Sequence, residues 1–466
     1  MNPRRAAFLL GRAFCLLLAL FALSPWPSRA NERLPAEKAS PSREDLIWHH
    51  TKDIPMGPAR LDLGGQARLR YEYDDGFTLK GYEPGSHDAL LLQRIRLNFD
   101  VRLLQRIRMF FQVQDAHAFL TRYGDDDFPK SNPLEDTFDL RQAYLEWLGI
   151  RGSPIGFRVG RQQISYGDQR FFGPGNWGNT GRYAWDAAML KFETSGLSLD
   201  CWVGRYLQYK SSDWPNRAIE DFFTAVGYAQ LQKLPFRLDV FYVYKEDSSG
   251  AVQGETGSTG NIQTHSVGFQ AEGDALGFLH AGASFAGQGG QWAKDTVRAF
   301  GANAKLGAKI PLPWSPEITA QYTWGSGDHD PNDGVHGTFD GVFGGRDIYF
   351  YGYLNLFFWA NLRDAELDLS FKPHPSIMAF VAYHHFELDQ EKDAWYTTGL
   401  KPFRRDSSGQ AGAQLGDEID LRLVWAVGHH LELSAGYGRL FPGNFVRRTG
   451  PSGPANWSFC QILYSF

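Results

Sequence analysis

Apolar and polar residues alternate one by one through long stretches of this chain, from about residue 60 to its end. A period of two over such a length is typical of a β-strand with one apolar and one polar face. Each stretch runs for about 10 to 14 residues, longer than a typical soluble strand and enough for a tilted strand to cross a membrane. Examples of the apolar positions are Leu61, Leu63, Leu69 and Tyr71; Leu97, Phe99 and Val101; Val240 and Tyr242; Tyr322 and Trp324; and Leu421, Leu423 and Trp425. The pattern predicts an all-β protein.

Long and short connections alternate between these stretches. Long, polar, often acidic loops fall near 74–89, 117–137, 167–183, 207–219, 246–261, 287–297, 325–357, 389–416 and 441–455. Tight turns fall near 103–105, 150–155, 194–196, 233–235, 273–275, 311–316, 373–375 and 428–430. These connections separate about 18 strands, although 157–166 and 348–372 each fit more than one strand register. An even count with this rhythm predicts a transmembrane antiparallel β-barrel with short periplasmic turns and long extracellular loops.

A membrane-spanning sheet must close into a barrel. Lipid offers no hydrogen-bond partner, so every spanning strand has to be paired on both edges. A mean hydropathy of −0.37 is too polar for a bundle of apolar helices. The content of 35 Phe, 20 Tyr and 14 Trp is too aromatic for a disordered chain. A barrel of about 18 strands keeps a water-filled lumen, which predicts transport. The competing fold is a secreted β-sandwich or propeller, such as a lectin, which would bury its apolar faces in a core.

Features at the two ends of the chain predict that the protein is located in the outer membrane. Residues 1–30 have a basic start, an apolar run and a small-x-small site ending at Ala30, as a cleaved signal peptide does. Residues 31–59 carry four prolines and no periodicity, so they are interpreted as an irregular periplasmic segment before a barrel over 60–466. The terminal Phe466 follows alternating apolar residues and resembles the signal that the barrel assembly machinery reads. Cys201 and Cys460 are expected to be unpaired on strands.

One wall of the lumen is predicted to be basic. The polar faces of the first strands carry Arg68, Arg70, Arg94 and Arg96, whereas nearby acidic residues concentrate in the loops. Rings of arginine select anions, and a guanidinium forks onto a carboxylate. The alternative is mutual neutralisation, since later strands supply lumenal acids; the two interpretations are compatible. These acids are Asp364, Glu366, Asp368, Glu418 and Asp420.

The region 139–193 holds the most distinctive motifs. One strand contains Arg141-Gln-Ala-Tyr-Leu-Glu146, and the next contains Gly160-Arg161-Gln162. A turn Tyr-Gly-Asp168-Gln-Arg170 and a glycine-rich loop with Asn176-Trp177 follow. Glycines allow sharp turning, and Phe171, Phe172 and Trp177 can wedge this loop inward against the barrel wall. The alternative is an ordinary surface loop.

With these motifs the chain resembles the alginate export family of outer-membrane barrels, from about residue 60 onward. The resemblance implies an 18-stranded barrel and passive secretion of a polyuronate through an arginine-lined constriction. Carried over by motif, the lumenal candidates are Arg141, Glu146, Arg161, Gln162, Asp168 and Arg170. Apolar Phe157 and Val159 share the strand face of Arg161, so the register there is open.

Catalysis is not expected. His384 and His385 alternate between faces, and no Gly-x-Ser-x-Gly elbow stands out. The stretch 328–334 differs from a calcium loop in the place of its glycine and in lacking the closing glutamate. Neither a metal site nor a cofactor is therefore predicted. Loose binding of divalent cations by the acidic loops is left open. No nucleotide-binding or nucleic-acid motif is present.

The sequence therefore predicts a porin-like outer-membrane channel, not an enzyme, that passes an anionic polysaccharide such as an alginate-like polyuronate. The alternative is a general or small-anion-selective porin with no polymer role. The expected partners are the anionic solute, outer-membrane lipid, the barrel assembly machinery through Phe466, and periplasmic polysaccharide secretion proteins. A single wide barrel needs no second copy, so a monomer is expected.

Overall fold

A computed structural model describes residues 48, 50–104, 106–128, 130–344, 348–397 and 400–466. The predicted signal peptide and residues 31–47 of the N-terminal segment lie outside the described residues. The short strand Ile54–Met56 pairs with the chain that follows it, through Ile54 opposite Leu61. This part of the segment interpreted as irregular therefore joins the sheet.

Among the described residues, eighteen strands form the closed wall of the barrel, numbered here β1 to β18 in chain order, and three short strands join the same sheet. They are β1 Ala59–Thr78, β2 Gly81–Leu103, β3 Ile107–Phe119, β4 Asp136–Trp147, β5 Ile155–Gln162, β6 Trp185–Glu193, β7 Leu197–Gln208, β8 Phe222–Leu231, β9 Arg237–Gln253, β10 Thr259–Ala275, β11 Leu279–Trp292, β12 Asp295–Lys309, β13 Glu317–Gly325, β14 Leu362–His374, β15 Ile377–Glu387, β16 Gln414–Val427, β17 Leu431–Pro442 and β18 Ala455–Ser465.

Each barrel strand pairs antiparallel with its sequence neighbour, and the last strand pairs with the first. The closing ladder runs from Gln66 opposite Ser465 to Asp75 opposite Asn456. Closure leaves no open edge, as a lipid environment demands. The predicted barrel of 18 strands is confirmed.

The two faces of the strands have opposite chemistry. On β1, Leu69, Tyr71 and Tyr73 are exposed on the outside, whereas Arg68 and Arg70, which alternate with them, are buried on the inside. Outward-facing apolar residues continue around the wall. Cys201 and Cys460 are free and exposed, as expected.

Three connections are shorter than the sequence prediction. The loops predicted near 74–89, 246–261 and 287–297 are largely strand, because β1–β2, β9–β10 and β11–β12 extend as long hairpins. The ladder of β1 and β2 continues to Phe77 opposite Tyr82. Polar residues are tolerated there because both faces of a hairpin beyond the bilayer meet water or loops.

Two long connections fold into the barrel. The first inner loop (residues 163–184) was expected inward, and Phe171 and Phe172 are buried on its packing face. The second inner loop (residues 326–361) was predicted to be a polar extracellular loop, and that prediction is wrong. Its aromatic residues pack inside the barrel because they outnumber the acidic residues that suggested exposure; they include Phe339, Phe343, Phe350, Tyr351, Phe357 and Trp359. The ambiguous stretch 348–360 thus belongs to this loop, and β14 begins at Leu362.

Short elements lie in the connections between the barrel strands. They comprise the strands Arg217–Ala218 and Val335–His336, the hairpin of Ala394–Thr397 with Lys401–Arg405, the turns Asp125–Asp127 and Ile150–Gly152, and the helix Asn444–Thr449. Among the described residues there is no helix with the length and apolar character to span a membrane.

Candidate functional site

Four arginines form a cluster on the inner face of β1 and β2. Arg68 and Arg70 occupy alternate positions of β1, and Arg94 and Arg96 do so on β2. Arg68 lies directly opposite Arg94 across the strand pair. None of the four is more than 4% exposed, so they do not face open water. We call these residues the arginine cluster.

Residues 176–179 of the first inner loop cover the arginine cluster. Arg94 Nη1 donates to the carbonyl oxygen of Asn176 at 2.9 Å. Arg68 Nη1 donates to the carbonyl oxygen of Trp177 at 2.9 Å. The loop backbone therefore supplies the acceptors for guanidinium groups on both strands.

The other two arginines hold the same segment by its side chains as well. Arg70 Nη1 donates to the Trp177 carbonyl at 2.8 Å, and its guanidinium carbon lies 4.2 Å from the centroid of the Trp177 ring. Arg96 Nη1 donates to Asn176 Oδ1 at 3.1 Å. Hydrogen bonds and a cation–π contact thus fix this part of the loop over the cluster.

The cluster has little compensating negative charge. Glu72 pairs with Arg70, with 2.5 Å between Oε1 and Nε. Among the described residues, no carboxylate pairs with the other three arginines. Nε of Arg68, Nε of Arg94 and Nη2 of Arg96 are buried and find no hydrogen-bond partner within the described part of the chain. Buried charge is costly unless it is paired, so these groups would gain from an anion in place of a neutral carbonyl.

Arg141 and Gln162 support the base of the first inner loop. Arg141 is left unpaired at a shift of register between β3 and β4, and its side chain is completely buried. It donates to the hydroxyl of Tyr209, whose ring centroid lies 4.9 Å from the guanidinium carbon. Gln162 donates to the carbonyl of Ala187 at 3.2 Å. Both side chains hold structure rather than project into open space.

Glu146 and Arg161 are each neutralised by a neighbour. Glu146 Oε1 lies 2.5 Å from Nη2 of Arg158. Arg161 Nε lies 2.9 Å from Asp186 Oδ1. Arg161 shares its strand face with the outward-exposed Val159, and it is not part of the arginine cluster. The open register near 157–166 is thereby resolved.

Arg170 joins the two inner loops. Its guanidinium carbon lies 4.6 Å from the ring centroid of Phe350 and 5.7 Å from that of Trp359, both in the second inner loop. Its Nη2 donates to Gln321 Oε1 at 3.2 Å, and its Nε lies 3.5 Å from Asp168 Oδ2. Arg170 thus contacts residues of both inner loops.

The lumenal acids of later strands form a separate group around His384. His384 Nδ1 lies 3.2 Å from Asp364 Oδ1 on the inner face. His385 points the other way and lies 2.7 Å from Asp417. No described ion pair joins these acids to the arginine cluster, so neutralisation between the two groups is not seen.

Acidic side chains of two loops meet at the long-loop end. Glu255, Asp328 and Asp333 each offer an oxygen, and the three atoms lie within 4.8 Å of one another. Burial, with Glu255 and then Asp393 nearby, raises the pKa of Asp328 to about 8. Only Asp333 of the three is exposed, and acidic groups near the surface are common without an ion, so no ligand is assigned to them.

Sequence reasoning missed the groups that complete these contacts. Arg158 was detectable, since it lies directly opposite Glu146 in the ladder. The backbone carbonyls of 176–179 and the hydroxyl of Tyr209 leave no sequence signal, because any residue type supplies a carbonyl and Tyr209 is distant in sequence from Arg141.

Comparison with known proteins gives a family and a fold. The family model described as alginate export matches residues 59–457. No curated protein matches the sequence.

Solved structures of outer-membrane barrels resemble most of the chain in fold. OccK2 (OpdF) of Pseudomonas aeruginosa, in complex with glucuronate, has 12% sequence identity and a TM-score of 0.57, covering 87% of this chain and 98% of that chain. OccK11 (OpdR) of the same organism has 14% identity and a TM-score of 0.54 over 87% and 95%. OccAB4 of Acinetobacter baumannii has 9% identity and a TM-score of 0.55 over 87% and 98%.

Proposed function

The chain belongs to the alginate export family, and on that premise we propose that it passes an anionic polysaccharide, an alginate-like polyuronate, through an arginine-lined lumen. Family and fold make it an outer-membrane channel. The cargo and its recognition are the proposal. No catalytic step is part of it, and a monomer exposing its apolar outer face to lipid suffices.

The uncompensated arginine cluster is the observation that carries the proposal. Four buried guanidinium groups have one carboxylate, Glu72, among their contacts, and otherwise bind neutral oxygens. These oxygens belong to residues 176–179 and to the side chains of Gln66, Gln114 and Gln461. A carboxylate carries a full negative charge and can accept two parallel N–H bonds from one guanidinium, which a neutral carbonyl cannot do. A uronate carboxylate is therefore a better partner for Arg68 and Arg94 than the loop carbonyls are.

The polymer can pass if its carboxylates replace the loop carbonyl oxygens as hydrogen-bond acceptors of the arginine cluster. A carboxylate of the polymer takes over the hydrogen bonds that Arg94 gives to Asn176 and that Arg68 gives to Trp177. Released from these bonds, residues 176–179 swing away and widen the lumen. The next carboxylate of the chain replaces the first, so the polymer moves without a deep energy minimum at any one point. The loop carbonyls return when the polymer has passed.

The remaining site residues have supporting roles in this proposal. Arg141, Glu146, Arg161 and Gln162 hold the strands and loop base from which residues 176–179 move. Asp168 and Arg170 couple that movement to the second inner loop. The proposal also includes cleavage of the signal peptide near Ala30, assembly directed by Phe466, and supply of polymer by periplasmic secretion proteins.

A small-anion porin is the second candidate. Two inner loops narrow the lumen, and the similar barrel OccK2 was solved with glucuronate, a single uronate unit. If the loops move little, the arginine cluster of this chain would serve monomeric anions alone. Cargo length separates the two candidates.

The test is single-channel recording in planar bilayers with uronate oligomers of increasing length. We expect current blocks whose duration rises with oligomer length in the wild type. In the double variant Arg94→Gln/Arg96→Gln, blocks should shorten at least tenfold, since two of the four cluster cations are gone.

A matched control removes the same charge elsewhere on that wall. Arg102 pairs with Asp62 at 2.6 Å, and Arg108 pairs with Asp100 at 2.9 Å, both near the short turns. Arg102→Gln/Arg108→Gln should therefore shorten the blocks much less. Blocks independent of oligomer length would favour the small-anion porin. Equal loss in the two double variants would overturn the assignment to the arginine cluster.

A further inference from the structure

Three adjacent strands place a histidine among lumenal carboxylates. His384 on β15 lies directly opposite Glu366 on β14 and Glu418 on β16. Asp364 and Asp420 occupy the neighbouring inward positions of their strands. This carboxylate–histidine group is separated from the first strand of the arginine cluster by β17 and β18.

The donor atoms of the group converge. His384 Nδ1 lies 3.2 Å from Asp364 Oδ1, and its Nε2 lies 3.9 Å from Glu366 Oε1 and 3.8 Å from Asp420 Oδ2. One ligand atom each from Asp364, Glu366 and His384 lies within 4.8 Å of the others. A bound Zn²⁺ would draw these atoms closer together, since it binds nitrogen and oxygen ligands at about 2.0–2.2 Å.

The charge of the group is unbalanced. Asp364 and Glu418 are fully buried, and Asp420 is 1% and Glu366 8% exposed. The one basic side chain within 4 Å of these four carboxylates, among the described residues, is that of His384. Several buried carboxylates beside one imidazole cost free energy, and a divalent cation is a direct remedy.

Two buried oxygens give independent support. Among the described residues, no donor reaches Oδ1 of Asp420 or Oε2 of Glu418 other than a proton that these two carboxyl groups can share. The second oxygens of these two groups accept from the backbone N–H groups of Tyr353 and Leu354, each at 3.0 Å. The Asp420 carboxylate faces the site, since its Oδ2 is the atom that lies 3.8 Å from His384 Nε2. Native proteins seldom leave such groups unsatisfied.

We propose that Asp364, Glu366 and His384 bind a divalent transition-metal cation, for which Zn²⁺ is the probe. An imidazole nitrogen with two carboxylates is a donor set suited to Zn²⁺. Ca²⁺ and Mg²⁺ prefer sites made of oxygen alone. The proposal is independent of the polysaccharide cargo.

A cation has a path to this site, and its binding would change the ion selectivity of the channel. A cavity of about 1060 Å³ reaches Glu366, Asp368 and His384 and is lined at its other end by Phe278 and Ser315 of the short turns. A cation can therefore enter from the periplasmic side. Once bound, it cancels negative charge on this wall, so the channel becomes more selective for anions.

The test uses the full-length barrel in detergent and in planar bilayers. We expect one equivalent of Zn²⁺ to remain bound per chain after dialysis. Zn²⁺ added on the periplasmic side should shift the reversal potential in a KCl gradient toward that of Cl⁻. Both effects should fall at least tenfold in His384→Gln and in Asp364→Asn.

The neighbour His385 supplies the matched control, because it is outside the group and pairs with Asp417. His385→Gln should bind Zn²⁺ and shift the reversal potential like the wild type. Heat-modifiable migration on gels shows that each variant is a folded barrel, and Glu366→Gln serves if Asp364→Asn does not fold. Absence of stoichiometric Zn²⁺, full binding by His384→Gln, or equal losses in His385→Gln would each overturn the proposal. Ca²⁺ binding as tight as that of Zn²⁺ would do so too, because it would show a site of oxygens alone.

Discussion

Replacement of Trp177 by alanine should release the cover over the arginine cluster. The Trp177 ring lies 5.0 Å from Phe459, 6.0 Å from Trp457 and 6.1 Å from Tyr349, between centroids, and 4.2 Å from the Arg70 guanidinium carbon. Aromatic pairs contribute about 0.5–1.5 kcal/mol each, and a cation–π contact about 0.5–2 kcal/mol. Because the ring is only half-buried, we expect a loss of about 2–3 kcal/mol rather than the full sum.

That loss corresponds to a roughly 30- to 150-fold rise in the opening equilibrium of residues 176–179. Hydrogen exchange, followed by mass spectrometry on peptides covering this segment, measures the change directly. Single-channel conductance should rise as well, since the segment spends more time away from the arginine cluster. Trp425→Ala is the matched control, because Trp425 is exposed on the outer face of β16. Exchange in Trp177→Ala within twofold of the wild type would refute the reasoning.

Two further predictions concern the second inner loop. The pKa of Asp328 is raised to about 8, so the folded state keeps a proton that the unfolded state loses, and the stabilising contribution of this proton is complete below about pH 4 and is lost as the pH rises through about 8. Protease resistance of the loop should therefore fall from pH 5 to pH 9 in the wild type and much less in Asp328→Asn. An equal fall in both proteins would contradict the assignment. Arg170→Met should cost roughly 2–3 kcal/mol through lost charged hydrogen bonds and speed hydrogen exchange in both inner loops, whereas faster exchange in only one would show that Arg170 does not couple them.

The barrel itself was predictable from sequence because its constraints are local. Alternation fixes which face of β1 meets lipid, and the sequence pattern of connections yields 18 strands without knowledge of any contact. The inward course of the first inner loop also had a local signal in Phe171 and Phe172. Boundaries were harder, because polar residues near 246–261 fit a loop and the upper part of a hairpin equally well.

The second inner loop and the cover of the arginines depend on contacts that are distant in sequence. Acidic residues near 328–333 indicated an exposed loop, but the aromatic run ending at Trp359 finds its partners inside the barrel. The acceptors for Arg68 and Arg94 are carbonyls about a hundred residues away, which carry no residue identity. The sequence thus predicted a basic wall but not that a loop lies over it.

The most direct test of the central claim compares two ligands on the same protein. A uronate oligomer and its carboxyl-reduced, neutral counterpart have the same length and sugar backbone, so their dissociation constants differ through the carboxylates alone. We predict that the uronate oligomer binds at least tenfold more tightly than the neutral oligomer, and that Arg94→Gln/Arg96→Gln removes most of this difference. Equal dissociation constants for the two oligomers on the wild-type channel would contradict recognition of carboxylates by the arginine cluster.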